Sequence, residues 1–260
     1  MTEQLRGKGA VVTGGASGIG RATALMLVEE GADVFVLDRN EEGGRAVVNE
    51  IQDAGGRASY LQVDLADLST IAPAVSAAIE FLGHIDILVN SAGVRALHPA
   101  KGPARLFDID QETWDFVVAV NLRAPFFLTQ EVSRHMIERG EGGRIVNVSS
   151  MAAFQSDNCS IHYSASKAGL GSVTRNTAAD LGRHGINVNA VAPGITKTPM
   201  SGSSSEEQLR RMASEGPLAN LLGSLAEPEE VASAILFLCL PGSSQVTAQT
   251  IHTSGGYITT

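Results

Sequence analysis

Short apolar runs alternate along the chain with longer stretches whose apolar residues recur at helical spacing. The runs Ala10 to Thr13, Asp33 to Leu37, Tyr60 to Val63, Ile85 to Val89, Ile145 to Val148, Ile186 to Val191 and Val246 to His252 read as strands. Between them, helices are predicted over Ile19 to Glu30, Glu41 to Ala54, Leu68 to Leu82, Thr113 to Arg139, Tyr163 to Arg183 and Pro228 to Leu240. Several strands are almost wholly apolar, which suits a sheet covered by helices on both faces. The rhythm of strand and helix predicts a Rossmann-type α/β fold, a doubly wound and mostly parallel seven-stranded sheet. Gly55-Gly56, Gly142-Gly143 and Gly182 to Gly185 punctuate helix ends. No linker divides the chain, so a single domain over 1–260 is expected. The stretch 195–216 breaks the rhythm. It carries Ser201-Gly202-Ser203-Ser204-Ser205 and then a polar helical piece around Glu206 to Ser214. It follows a strand's carboxyl end, so it is a surface loop or a lid over a ligand.

Composition narrows the classes. The chain has 260 residues, 43% of them apolar, enough for one substantial core. A formal net charge of −9 without a Lys/Arg cluster argues against nucleic acid or an anionic membrane as partner. Cys159 and Cys239 have neither metal-ligand spacing nor a disulfide framework, so free thiols and no metal are expected. The polar start and the lack of a long apolar run predict a cytoplasmic protein without a signal peptide or membrane span.

The first strand runs into Thr13-Gly14-Gly15-Ala16-Ser17-Gly18-Ile19-Gly20 and then a helix. Glycines there allow a tight turn and close approach to a pyrophosphate, and the helix start offers free N–H groups. Gly14, Ser17, Gly18 and Ile19 are therefore candidate dinucleotide contacts, although a glycine turn alone also serves ordinary structure. No Gly-Lys-Ser/Thr follows, which excludes a Walker-type loop. Asp38 ends the second strand, where a carboxylate accepts from the ribose hydroxyls and repels a 2′-phosphate, so NAD is expected over NADP. Arg39 beside it favours a phosphate. Asp64 and Leu65 after the third strand are candidates for the adenine. Asn90, Ala92 and Gly93 after the fourth would let the cofactor lie close to backbone.

Tyr163 and Lys167 stand four residues apart, on one face of a predicted helix. A nearby ammonium favours the phenolate and makes a tyrosine a usable acid/base. Ser150 supplies a second donor to the oxygen on which charge develops during hydride transfer. No Gly-x-Ser-x-Gly elbow suggests a serine hydrolase.

Together the motifs TGGASGIG at 13–20, NSAG at 90–93, YSASK at 163–167 and PG at 193–194 resemble those of the classical short-chain dehydrogenase/reductase family, over nearly the whole chain. The resemblance implies a catalytic tetrad of Asn121, Ser150, Tyr163 and Lys167. Asn121 would bend its helix and hold a water that links Lys167 to solvent, and Lys167 would bond the nicotinamide ribose. Ser150 is preferred over Ser149 for its thirteen-residue separation from Tyr163. Pro193, Gly194, Ile195, Thr196 and Thr198 resemble the segment that holds the nicotinamide and pyrophosphate. Asn90-Ser91 replaces the usual Asn-Asn, and Ser254-Gly255-Gly256 stands where Asp-Gly-Gly is common. The resemblance also implies a homotetramer built on the two long helices.

The expected activity is NAD-dependent interconversion of a secondary alcohol, on a sugar, polyol, cyclic or hydroxyacyl compound, with its ketone. Asp38 points to alcohol oxidation as the working direction. The alternatives are an NADPH-dependent 3-oxoacyl thioester reductase and, in another class, a non-catalytic nucleotide-binding regulatory protein. Arg95, Ala152, Phe154, Gln155 and Ser160 are the candidate substrate-pocket residues. Arg95 and His98 could meet an anionic or polyol substrate or be loop surface. Cys159 is placed at the pocket wall and Trp114 in helix packing.

Overall fold

Ala10 to Val12, Val34 to Leu37 and Ile87 to Val89 are buried on both faces of the chain, and this places them in the middle of a sheet. In the computed structural model, which describes residues 3–95, 97–98, 102–104, 106–155, 159–202 and 204–258, seven strands form that sheet. They are β1 (Gly9–Thr13), β2 (Asp33–Asp38), β3 (Ala58–Gln62), β4 (Ile87–Asn90), β5 (Gly143–Val148), β6 (Ile186–Pro193) and β7 (Thr250–Thr253). Their order is β3-β2-β1-β4-β5-β6-β7, with every pairing parallel. A two-residue antiparallel ladder, Leu97–His98 with Gly102–Pro103, stands apart.

The helices are α1 (Gly18–Glu29), α2 (Glu41–Asp53), α3 (Ile71–Leu82), α4 (Gln111–Val118), α5 (Ala124–Arg139), α6 (Ile161–Leu181), α7 (Glu206–Ser214) and α8 (Pro228–Cys239). Strand alternation sorts the core into two layers. Val11, Leu88, Ile145 and Val188 face α3, α5 and α6, packing on Val75, Leu128, Met136 and Leu181. Ala10, Val12, Val89, Val146 and Val191 face α1, α2 and α8, packing on Leu27, Ile51 and Ile235. Strand order reverses between β1 and β4, which opens a crevice beyond their carboxyl ends. Among the described residues no helix is long and apolar enough to cross a membrane.

Several boundaries depart from the sequence expectation, four of them for a visible reason. The helix predicted over Thr113 to Arg139 is α4 and α5 joined by a π-helical turn, Ala119–Arg123. The extra residue of that turn sits around Asn121, whose side chain is engaged elsewhere. The predicted start at Leu68 is a separate 3-10 turn, because the Asp67 carboxylate accepts from Ser69 N at 2.9 Å and closes it. The last strand begins at Thr250 rather than Val246. The Val246 carbonyl instead accepts from the Asn187 and Asn189 side chains at 2.9 and 2.8 Å, and Ala248 has φ +60°. β4 begins at Ile87 rather than Ile85, since Ile85 N donates to His135 Nε2 at 3.2 Å.

Candidate active site

The crevice between β1 and β4 is shaped by the last residue of β1. Thr13 is buried, and its hydroxyl oxygen accepts from Ser91 N and Ala92 N, both at 3.1 Å. That ties the glycine turn to the segment after β4. Gly14 has φ +67°, and a Cβ there would stand 2.7 Å from Ala92 Cα, so no side chain fits. Gly18 opens α1 with φ +52°, and Thr198 lies 3.1 Å from where its Cβ would be. The segment after β6 thus folds over the first turn of α1. Ser17 does not cap α1 with its side chain, which leaves the helix's first N–H groups available to an anion. These narrow cradles fit a dinucleotide pyrophosphate.

Asp38 closes β2. Its carboxylate accepts from Ala16 N at 3.1 Å and Asn40 N at 2.9 Å, which holds it toward the glycine turn. The side chain of Arg39 is exposed. Leu65 is buried, and exposed Asp64 accepts from Ala66 N at 2.9 Å. Asn90 turns into the sheet, where it donates to Asn147 Oδ1 at 2.9 Å, and Asn147 donates to Thr174 Oγ1 at 2.9 Å. At the end of β6, Pro193 is buried and Gly194 presses on Ser254, with 2.9 Å from a Cβ there to Ser254 Cα. Ser254 is itself buried. Thr196 bridges Ala226, and Ile195 packs with Leu209, Ala213 and Leu225. Helix α7 is therefore docked on this segment, with Lys197 paired to Glu206 at 2.6 Å.

The catalytic candidates come together one strand away. Tyr163 and Lys167 are both buried on α6, with the Lys167 ammonium 5.9 Å from the Tyr163 ring centroid. Lys167 Nζ donates to the Val148 carbonyl at 2.7 Å, at the end of β5. Burial lowers the Lys167 ammonium from its ordinary value to about 8. The two serines after β5 divide the work. Ser149 Oγ donates to the Lys167 carbonyl at 3.1 Å and anchors α6. Ser150 Oγ accepts from Ala152 N at 3.1 Å, which leaves its hydroxyl proton for another acceptor.

Asn121 is fully buried in the π-helical turn. It accepts from Val94 N at 2.8 Å and donates to Val94 O at 3.0 Å and Ser166 Oγ at 3.2 Å. Ser166 in turn donates to the Tyr163 carbonyl at 2.7 Å. A Cβ on Gly93 would stand 3.4 Å from Lys167 Nζ and 3.5 Å from Asn121 Oδ1, so these groups surround one point. His162, next to Tyr163, is buried without a hydrogen bond to either ring nitrogen. Burial lowers its pKa and keeps it neutral.

The pocket candidates separate. Ala152 packs on Tyr163 with Val94, Val117 and Cys159, an apolar wall. The Arg95 guanidinium carbon lies 5.8 Å from the Tyr163 ring centroid. Phe154 meets His252 on β7 edge-on, ring centroids 4.6 Å apart. Gln155 is exposed, and Ser160 is buried, accepting from Ala104 N at 3.0 Å. Trp114 is 39% exposed on α4 rather than packed away. The side chain of His98 lies outside the described residues. Sequence reasoning missed Thr13, Val94, Asn147 and Ser166. Only Asn147 carried a signal, a lone amide in the apolar run Ile145 to Val148.

The chain is similar to known proteins along most of its length. A profile of the family described as short chain dehydrogenase matches residues 8–209. The short-chain reductase protein NovJ of Streptomyces niveus is 38% identical over 250 residues, covering 95% of this chain and 92% of that one. The 3-oxoacyl-[acyl-carrier-protein] reductase FabG of Thermotoga maritima is 39% identical over 256 residues, 98% and 99% of the two chains. The crystal structure of a dehydrogenase/reductase from Sinorhizobium meliloti 1021 superposes with a TM-score of 0.89 at 38% identity, covering 99% and 98%.

Proposed function

Because the chain belongs to the short-chain dehydrogenase/reductase family and is therefore an oxidoreductase that uses a nicotinamide dinucleotide, we propose that it interconverts a secondary alcohol and its ketone, with NAD as cofactor and Tyr163 as general acid/base. The observation that carries this reading is the burial of Tyr163 and Lys167 together on α6, with Lys167 bonded to the Val148 carbonyl two residues before Ser150 and close to Gly93 beyond the end of β4. The bound dinucleotide supplies or accepts the hydride.

The remaining steps belong to the chain. In oxidation the Tyr163 phenolate takes the alcohol proton while Ser150 donates a hydrogen bond to the same oxygen. That second donor stabilises the charge on the oxygen as the carbonyl forms. The Lys167 ammonium favours the phenolate and bonds the nicotinamide ribose. Asn121 keeps the helix break and a water that returns protons to Lys167. Gly14, Ser17, Gly18 and Ile19 hold the pyrophosphate, with Thr198 above them. Asp38 takes the ribose hydroxyls and Asp64 and Leu65 the adenine, while Asn90, Ala92, Gly93 and 193–196 line the remaining wall. The segment 195–216 acts as a lid.

The orientation of the Asp38 carboxylate toward the glycine turn supports NAD. Exposed Arg39 and the likeness to a 3-oxoacyl reductase support a second reading, an NADPH-dependent 3-oxoacyl thioester reductase. Exposed Phe116, Phe126 and Ile137 on α4 and α5 support a homotetramer, for which light scattering is the check.

The deciding experiment follows reduced nicotinamide absorbance across sugars, polyols, cyclic alcohols and hydroxyacyl thioesters, each with NAD and NADP. Turnover with NAD and its loss by a factor of ~10² to 10⁴ in Tyr163→Phe, with dinucleotide binding kept, is expected. Full activity of that variant refutes the acid/base role. NADP-only turnover establishes the reductase reading, and binding without any turnover leaves a nucleotide-binding protein.

A further inference from the structure

We infer that the substrate carries a carboxylate within a few bonds of its reacting carbon, and that Arg95 is the residue that selects it. This rests on the alcohol/ketone reading of the Tyr163 site. Three observations lead to it. The Arg95 guanidinium carbon lies 5.8 Å from the Tyr163 ring centroid, and Val94, Val117, Ala152 and Cys159 pack with that tyrosine as an apolar wall. Among the described residues no carboxylate pairs with Arg95, whereas half-buried Arg21 is paired to Glu50 and Arg139 to Asp86 and Glu141, and half-buried Arg144 is held by the Gly143 carbonyl and Asn187. Arg95 follows Val94, whose backbone is gripped at both N–H and C=O by Asn121, so the root of the arginine is held by the tetrad itself.

A half-buried cation beside an apolar wall, with no counterion among the described residues, is a natural seat for an anionic ligand group. A guanidinium presents paired N–H groups that match a planar carboxylate. Its distance from the phenol restricts where that carboxylate sits. The phenolic oxygen is one ring radius and one C–O bond from the centroid, so an anion on Arg95 belongs to the same small molecule whose oxygen meets Tyr163. A phosphate at the far end of a carrier arm would lie beyond this distance. The class is a hydroxy acid and its oxo acid, with an apolar body against Ala152 and Val117.

The test compares hydroxy acids with their methyl esters as substrates of the holoenzyme, using wild type, Arg95→Gln and Arg95→Lys. NADH fluorescence confirms in each variant that the dinucleotide still binds. The wild type is expected to favour the acid through KM. Arg95→Gln should raise the acid's KM about 10- to 100-fold, the range of a charged hydrogen bond, and leave the ester's within about twofold of wild type. Arg95→Lys should restore part of the preference. Equal losses in kcat for acid and ester, with a shifted pH profile, would assign Arg95 to Tyr163's acidity and overturn the inference. Turnover of other secondary alcohols with no preference for the acid would overturn it while leaving the function reading intact. Failure of every alcohol would overturn both.

Discussion

Replacing Lys167 by methionine should make the protein more stable at neutral pH while abolishing its activity. The ammonium is 3% exposed and its pKa falls from 10.5 to about 8 through burial. Below about pH 8 the lysine is protonated in both the folded and unfolded chain, and the full cost of burying the charge is present. Between about pH 8 and 10.5 the unfolded chain holds a proton the folded one has lost, so stability rises with pH across that window. The shift corresponds to a cost of about 3 kcal/mol at pH 7. Lys167→Met removes that cost and keeps an unbranched stem, but it loses the hydrogen bond to the Val148 carbonyl, worth about 1–2 kcal/mol. The net expectation is a gain of about 1–2 kcal/mol at pH 7, reversing to a loss near pH 10.5. Urea unfolding of wild type and variant, without dinucleotide and at one fixed protein concentration, measures the difference from pH 7 to 10.5. Groups titrating elsewhere cancel in that difference. A difference that does not change with pH, or a variant less stable at pH 7, would refute the argument from burial.

The two serines after β5 should part company. Ser150→Ala loses a factor of ~10² or more in kcat with normal stability, as for the loss of one oxyanion donor. Ser149→Ala instead lowers stability by about 1 kcal/mol through the lost tether to α6, read by denaturation. At the opposite end of the sheet, burial works to raise the Asp86 pKa, but hydrogen bonds from Gly9 N, Lys8 and Arg139 outweigh it and hold the carboxyl below its ordinary value. Its stabilisation is therefore present above the ordinary carboxylate range and lost as pH falls through it. Asp86→Asn should cost about 2 kcal/mol at pH 7 and flatten the acid limb of the stability profile. Gly14→Ala should weaken dinucleotide binding, because φ +67° and the 2.7 Å approach to Ala92 allow no methyl group. Dinucleotide titration is the measurement, and an unchanged affinity would contradict the close-approach argument.

Much of the fold was legible because its determinants are local. Strand burial on both faces writes a continuous apolar run, and helices write a 3.6-residue period, so the order of elements follows from neighbours in sequence. The Tyr163/Lys167 pair was legible for the same reason, since four residues on a helix place two side chains on one face. Gly14 and Gly18 were visible as a cluster between a strand and a helix. The short polar helix at 206–214 also stood out.

What remained hidden depends on residues far apart in the chain. The periodicity from Thr113 to Arg139 reads as one helix; the family resemblance pointed to a bend at Asn121, but not to its π-helical form or to its bond with Val94, twenty-seven residues away. The thirteen-residue separation from Tyr163 singled out Ser150, but that its neighbour Ser149 is tied to the Lys167 carbonyl is visible only in the fold. The contact of Phe154 with the ring of His252 joins residues nearly a hundred positions apart. The Asp38 carboxylate is directed by Ala16 N, and the backbone before Arg95 is held by Asn121 through Val94. By itself the sequence determined the succession of strands and helices, the glycine turn and the spacing of tyrosine and lysine. The tertiary structure alone decided which side chains face one another, because hydrogen bonds and burial between distant segments leave no periodic trace along the chain.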